Sequence, residues 1–202
     1  SAGGGTWANQ DCSNVIGIGT NALSGALAGD GADGSIAIGT SALAALTSGA
    51  KNTVIGYTAG GALLQGYDNT VLGYDAMNAM AGDDGNNCGN GNVAIGVDSM
   101  GSVNAGVHND ARSNNNVAIG NSALLGGSLA DDPASQLEGN VAIGYEAAMT
   151  TGTNPQTGIT AVGFRALKAL TSGTANTAIG YLASTLVTTG SNNTSLGFSA
   201  LD

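Results

Sequence analysis

The chain has 202 residues, of which 35 are glycine and 2 proline; 9% are charged and 4% aromatic, and the formal net charge is −10. Only four residues are basic (Lys51, Arg112, Arg165 and Lys168), which argues against a nucleic-acid or anionic-membrane partner. No apolar run approaches the ~18 residues that span a bilayer. The 42% hydrophobic content in a strict pattern excludes disorder, and glycine does not recur every third residue as collagen requires.

Residues 1–13 read as a leader or contact segment, and residues 14–202 as one solenoid domain. From residue 14 a single phrase, N-T/V-A-I-G-Y-x-A-L, recurs ten times. Its central glycines are Gly19, Gly39, Gly56, Gly73, Gly96, Gly120, Gly144, Gly163, Gly180 and Gly197. They are separated by 20, 17, 17, 23, 24, 24, 19, 17 and 17 residues. A fixed phrase whose surplus residues always enter at the same place marks stacked supersecondary units.

The column before the glycine is aliphatic throughout, from Ile18 and Ile38 to Ile179 and Leu196. Two residues further back every copy is β-branched, as in Ile16, Thr53, Val93 and Thr194, and a small residue, usually Ala, lies between. This period-two alternation predicts a strand, with the large face turned inward and the small face open to close approach. An Ala then a Leu or Met follow the glycine (Ala42-Leu43, Ala76-Met77, Ala123-Leu124) in runs too short for a helix, so a second short strand or an extended corner is expected there.

A 17-residue coil spans at most ~56 Å of contour, enough for two strands of about five residues and two turns. Stacked at ~4.8 Å, ten such coils form a rod of roughly 48 Å. The prediction is an all-β, parallel β-solenoid of about ten coils, each of 17–24 residues. One thin aliphatic ladder would not stabilise it, so a second buried column or association between chains is expected. Asn52, Asn69, Asn92, Asn116, Asn140, Asn176 and Asn193 stand four residues before the glycine. They read either as a hydrogen-bonded ladder along the rod or as an ordinary duplicated turn residue. A hexapeptide solenoid does not fit, because the column six residues after the aliphatic one holds Ser24, Gly61, Lys168 and Asp202.

The phrases N-V-A-I-G at 92–96, 116–120 and 140–144 resemble the head repeats of trimeric autotransporter adhesins. N-T-A-I-G-Y at 176–181 is similar to repeats of phage tail-fibre and related surface-fibre proteins. The resemblance covers nearly the whole chain. It implies a left-handed β-roll with the Val and Ile of the motif inside, and a homotrimer; the 17-residue period is longer than the adhesin coil of about 14.

No catalytic constellation is legible, and no cofactor is expected. The three longest coils place their surplus at 78–91, 101–115 and 125–139, where neighbouring loops would emerge side by side. Asp83, His108, Asp110, Arg112 and Glu138 are the recognition candidates there. Asp83-Asp84, Asp131-Asp132 and the Asp30/Asp33 pair offer oxygen atoms to a calcium ion, but match no EF-hand loop or nonapeptide pattern, so no metal site is assigned. Cys12 and Cys88 lie about 19 Å apart along such a rod, too far for a disulfide within it. Aromatic residues after the glycine (Tyr57, Tyr74, Tyr145, Phe164, Tyr181 and Phe198) either pack between coils or present a stacking face to sugars.

The expected function is a non-enzymatic structural or adhesive fibre protein, extracellular or on a cell or virion surface, whose chains self-associate. Its partners would be itself, as a homotrimer or an end-to-end filament, and a surface glycan or protein receptor. The alternatives are a filament subunit without receptor binding and a carbohydrate- or calcium-binding β-roll module.

Overall fold

A computed structural model describes residues 12–25, 27, 31–80, 89–103, 112–127, 136–150 and 156–202. Among them there is no helix, and thirteen short strands carry the regular structure. Ten form one parallel sheet, one strand per glycine phrase: β1 (Ile16–Ile18), β2 (Ile36–Ile38), β3 (Thr53–Ile55), β4 (Thr70–Leu72), β5 (Val93–Ile95), β7 (Val117–Ile119), β9 (Val141–Ile143), β11 (Thr160–Val162), β12 (Thr177–Ile179) and β13 (Thr194–Leu196). Strands β6 (Arg112–Asn114), β8 (Gln136–Glu138) and β10 (Gln156–Thr157) pair as a second parallel sheet. The chain is a parallel β-solenoid.

Register is constant along the rod. Ile55 lies beside Leu72, Leu72 beside Ile95, and Ile95 beside Ile119, although these coils differ in length by as much as seven residues. The surplus of a long coil therefore does not shift the stack. A one-residue slip would turn every side chain to the opposite face, so the alternating columns hold the pairing.

The facing of those columns is the reverse of the expectation, and of what the family resemblance implies. Ala37, Val54, Val71, Ala94, Ala118, Ala142, Ala161 and Ala178, the middle residues of their strands, are buried. The Ile and Leu on either side point outward: Ile18 is 57% exposed, Leu72 46% and Leu196 75%. The core comes from the other side of the coil, through Ala42, Leu43 and Leu46 and their equivalents Ala76, Met77 and Met80 or Ala166, Leu167 and Leu170. A coil of 17 residues encloses room for one layer of large side chains. With Leu and Met filling it, the strand side holds Ala or Val, since interiors close-pack large against small. The second buried column thus supplies most of the large-residue core, with Leu137 and Ile159 adding to it from elsewhere in the coil.

The Ala-Leu segment is neither a strand nor an extended corner. The second and fourth residues after the glycine take left-handed angles in coil after coil, as at Ser41 (φ 58°) and Leu43 (φ 50°) or Asp75 (φ 51°) and Met77 (φ 52°). The first of each pair donates its N–H down the stack (Ser41 to Thr20 O, 2.8 Å) and the second donates up it (Leu43 to Ala59 O, 3.1 Å). Turns so built continue the inter-coil hydrogen bonding that strands would supply, which satisfies the backbone of a corner packed against the core. Two five-residue strands per coil are accordingly replaced by one three-residue strand and a chain of turns, with a second strand only at β6, β8 and β10.

The asparagines do form a ladder. Asn52, Asn69, Asn92, Asn116 and Asn140 are all buried, and the Oδ1 of each of the first four accepts both the backbone N–H and the Nδ2 of the next. Each Nδ2 also donates to a carbonyl of the following coil, at 2.8 Å for Gly66 O and Leu137 O. Ser35 caps the ladder at one end by accepting the Asn52 N–H, and Ile159 interrupts it before Asn176 and Asn193 resume.

Candidate functional site

Three columns of side chains face outward from the ten-stranded sheet: those three residues and one residue before each glycine, and the one after it. In every coil these positions are uncharged, in a chain of net charge −10. All the exposed large apolar side chains among the described residues belong to this flank except Tyr67, Leu186 and Leu201. Ile16, Ile18, Ile55, Leu72, Ile143, Ile179 and Leu196 form its aliphatic part, and Tyr57, Tyr74, Val97, Tyr145, Tyr181 and Phe198 run beside them. Exposed apolar patches rimmed by polar residues are a common feature of the surfaces through which proteins meet partners.

The aromatic column stacks on itself. Tyr57 and Tyr74 have ring centroids 5.5 Å apart and planes 6° from parallel; Tyr145, Phe164, Tyr181 and Phe198 continue the pattern at 5.3, 4.9 and 5.4 Å. Constant register sets this spacing, since each ring sits one strand above the last. The faces of the inner rings are occupied by neighbouring rings and leave only edges to solvent. The column is therefore packing between coils, not a platform for the face of a sugar. Val97 and Asn121 divide it into two stacks.

Charges begin at the next column. Glu146 Oε2 accepts hydrogen bonds from Lys168 Nζ at 2.6 Å and Arg165 Nε at 2.7 Å, and the Arg165 guanidinium lies 5.0 Å from the Phe164 ring centre and 5.8 Å from that of Tyr145. Two of the four basic side chains are thus held at the border of the aromatic stack. Lys168 first, and then Tyr145 and Arg165, lower the Glu146 pKa below its ordinary value, against an opposing contribution from desolvation. Asp75 accepts from the Thr58 hydroxyl and raises the Tyr74 pKa, chiefly by its charge. A polar border around an apolar patch is the usual anatomy of an interface.

A pH dependence follows. A carboxylate whose folded pKa is lowered contributes stability that is present above the unfolded value and lost as pH falls through the folded one. Wild type should exceed Glu146→Gln in thermal midpoint at neutral pH. The difference should fade as pH drops below about 4, and also with added salt, because Arg165 is partly exposed and the pair is screened. Midpoints compared across a pH series check this.

Of the recognition candidates, Arg112 opens β6, exposed and in register with Gln136, and Glu138 ends β8, partly buried beside Asn114. Asp83, His108 and Asp110 lie outside the described residues, as do Asp30, Asp84, Asp131, Asp132 and Cys88. Among the described residues no three His, Cys, Asp or Glu side chains gather as a metal ion would need. The Cys12 thiol donates to Gly31 O at 3.1 Å. The outward flank is not legible in the sequence, because alternation alone places its Ile and Leu in the interior. No family, no curated protein and no solved structure matches this chain.

Proposed function

We propose that this chain is a non-enzymatic structural component of an extracellular or virion surface fibre, and that its rods associate side by side through the outward flank. The observation that carries this reading is the charge-free apolar flank itself. About ten strands at ~4.8 Å and three alternate side chains across make a face roughly 48 Å by 14 Å, close to the ~800 Å² per partner of a stable interface. Identical chains of net charge −10 repel one another elsewhere, but this face meets its copy without charge opposing charge. Aliphatic ladders and aromatic edges repeating at strand spacing fit a partner with the same repeat, which favours a copy of the chain in register over an unrelated protein.

Sedimentation of the purified protein tests the proposal. Wild type at micromolar concentration should be a discrete oligomer, and Ile143→Glu, at the exposed end of β9, should dissociate it to monomers with unchanged far-ultraviolet dichroism. A charge buried there without a partner would weaken assembly by several kcal/mol. A monomeric wild type would overturn the reading.

A further inference from the structure

A groove of about 490 Å³ opens on a corner of the rod, with Asp33, Lys51, Tyr67 and Asp68 around it and the buried glycines Gly31 and Gly49 among its lining residues. This volume lies within the roughly 300–1,000 Å³ usual for small-molecule sites. Successive coils assemble it: Lys51 N–H donates to Asp33 O at 2.7 Å, and Asp68 N–H to Ala50 O at 3.1 Å. The glycine at 49 is enforced, because φ is +135° and a Cβ would run into the backbone of Gly66, so that part of the groove carries no side chain.

We propose that this groove binds a saccharide. The side chains around it have hydrogen-bonding capacity to spare: among the described residues, the Lys51 ammonium, the Asp68 carboxylate and the Tyr67 hydroxyl have no partner. Asp33 engages only Oδ1, which accepts the Ser13 N–H at 2.7 Å. Tyr67, 42% exposed, differs from the tyrosines of the flank in having no ring stacked on it among the described residues, which leaves its face open to the C–H face of a pyranose. Carboxylates accept from vicinal hydroxyls while the ammonium donates to hydroxyl or ring oxygens, and a sugar presents both kinds of group. Asp33 and Asp68 together outweigh the single charge of Lys51, so the groove opposes an anion, and a cationic amine is the ligand that competes with a sugar for it.

The site does not depend on self-association. Tyr67 is not among the flank's side chains, so binding can be read on the monomer, and sedimentation decides the fibre reading by itself. Saturation-transfer NMR with glucose, galactose and N-acetylglucosamine tests the site. At least one of these sugars should receive saturation from the protein and bind with millimolar affinity, as a single small saccharide on an open groove would. Tyr67→Ala should weaken that binding roughly tenfold or more. Asp68→Asn should weaken it by a smaller factor while keeping the fold, since Asn tolerates the left-handed angle at 68 (φ 59°). Tyr74→Ala, in the ring stack, should leave it unchanged. No transfer to any of the three sugars, equal binding by wild type and Tyr67→Ala with native dichroism, or saturable binding of ethanolamine in preference to the sugars would each overturn the proposal.

Discussion

Replacing Gly120 with alanine should destabilise the rod more than any surface substitution in the chain. Gly120 has φ +133°, and a Cβ there would overlap the carbonyl of Gly144 one coil above. The same holds along the column, where Gly39 faces Gly56, Gly56 faces Gly73 and Gly163 faces Gly180. Backbone lies directly on backbone at this corner. A non-glycine residue in that region of φ costs about 1–3 kcal/mol, and forcing an extra atom into a packed stack costs about 1–3 kcal/mol more. The sum, roughly 2–6 kcal/mol, is comparable with the whole stability of an ordinary domain. Urea unfolding should show it as a large fall in midpoint. Gly197→Ala is the control: its Cβ would meet nothing within 4 Å, so only the φ penalty applies and the loss should be about half as large. Equal losses at both positions would mean that contact with the next coil is not what demands glycine.

The glycine spacing made the coil count, the parallel stacking and the tolerance of long insertions legible in the sequence. The left-handed column five residues before the glycine is legible in most coils, since Asn14, Gly34, Asp68, Gly91, Asn115 and Gly139 are the residue types that accept such angles, but Lys51 and Ala175 in the same column are not. The inward direction was not legible. Period-two alternation identifies two faces, and here both are apolar, Ala on one and Ile on the other, so hydrophobicity alone assigns the wrong one to the core. What decides is the volume enclosed by the coil, and that depends on the Ala-Leu corner. Leu43, Met77 and Met100 take left-handed angles (φ 50–52°) that bulky residues rarely adopt, and no local propensity announces them. Inter-coil hydrogen bonds on both sides of the preceding peptide, Leu23 N–H to Ala42 O and Leu43 N–H to Ala59 O, hold that geometry, so it exists only in the stack. The saccharide groove shares this origin: Asp33, Lys51 and Asp68 lie on three coils and become neighbours only when the coils close.

Asn116→Ala should be nearly as damaging as the glycine substitution, by a different mechanism. The Asn116 side chain serves three coils. Its Oδ1 accepts the Asn140 N–H and the Asn140 Nδ2, each at 3.0 Å, while its Nδ2 donates to Asn92 Oδ1 at 3.1 Å and to Leu137 O at 2.8 Å. Truncation orphans the Asn140 N–H, one donor of the Asn140 amide and the Leu137 carbonyl, all in a buried row. At about 1–3 kcal/mol for each unsatisfied buried group, with some relaxation, the loss should reach roughly 3–6 kcal/mol. The chain contains its own comparison at Ile159. That residue donates its N–H to Asn140 Oδ1 at 2.8 Å but passes nothing on, and neither the backbone N–H of Asn176 nor the buried Oε1 of Gln156 finds a partner among the described residues. Ile159→Asn gives up the burial of one aliphatic side chain, about 1.5–3 kcal/mol, and supplies the acceptor that Asn176 lacks. Its net effect should stay within about 1 kcal/mol. Chemical unfolding of the two variants side by side decides the point. If Asn116→Ala proves as mild as Ile159→Asn, the ladder is a by-product of the turn and contributes little to the stability of the rod.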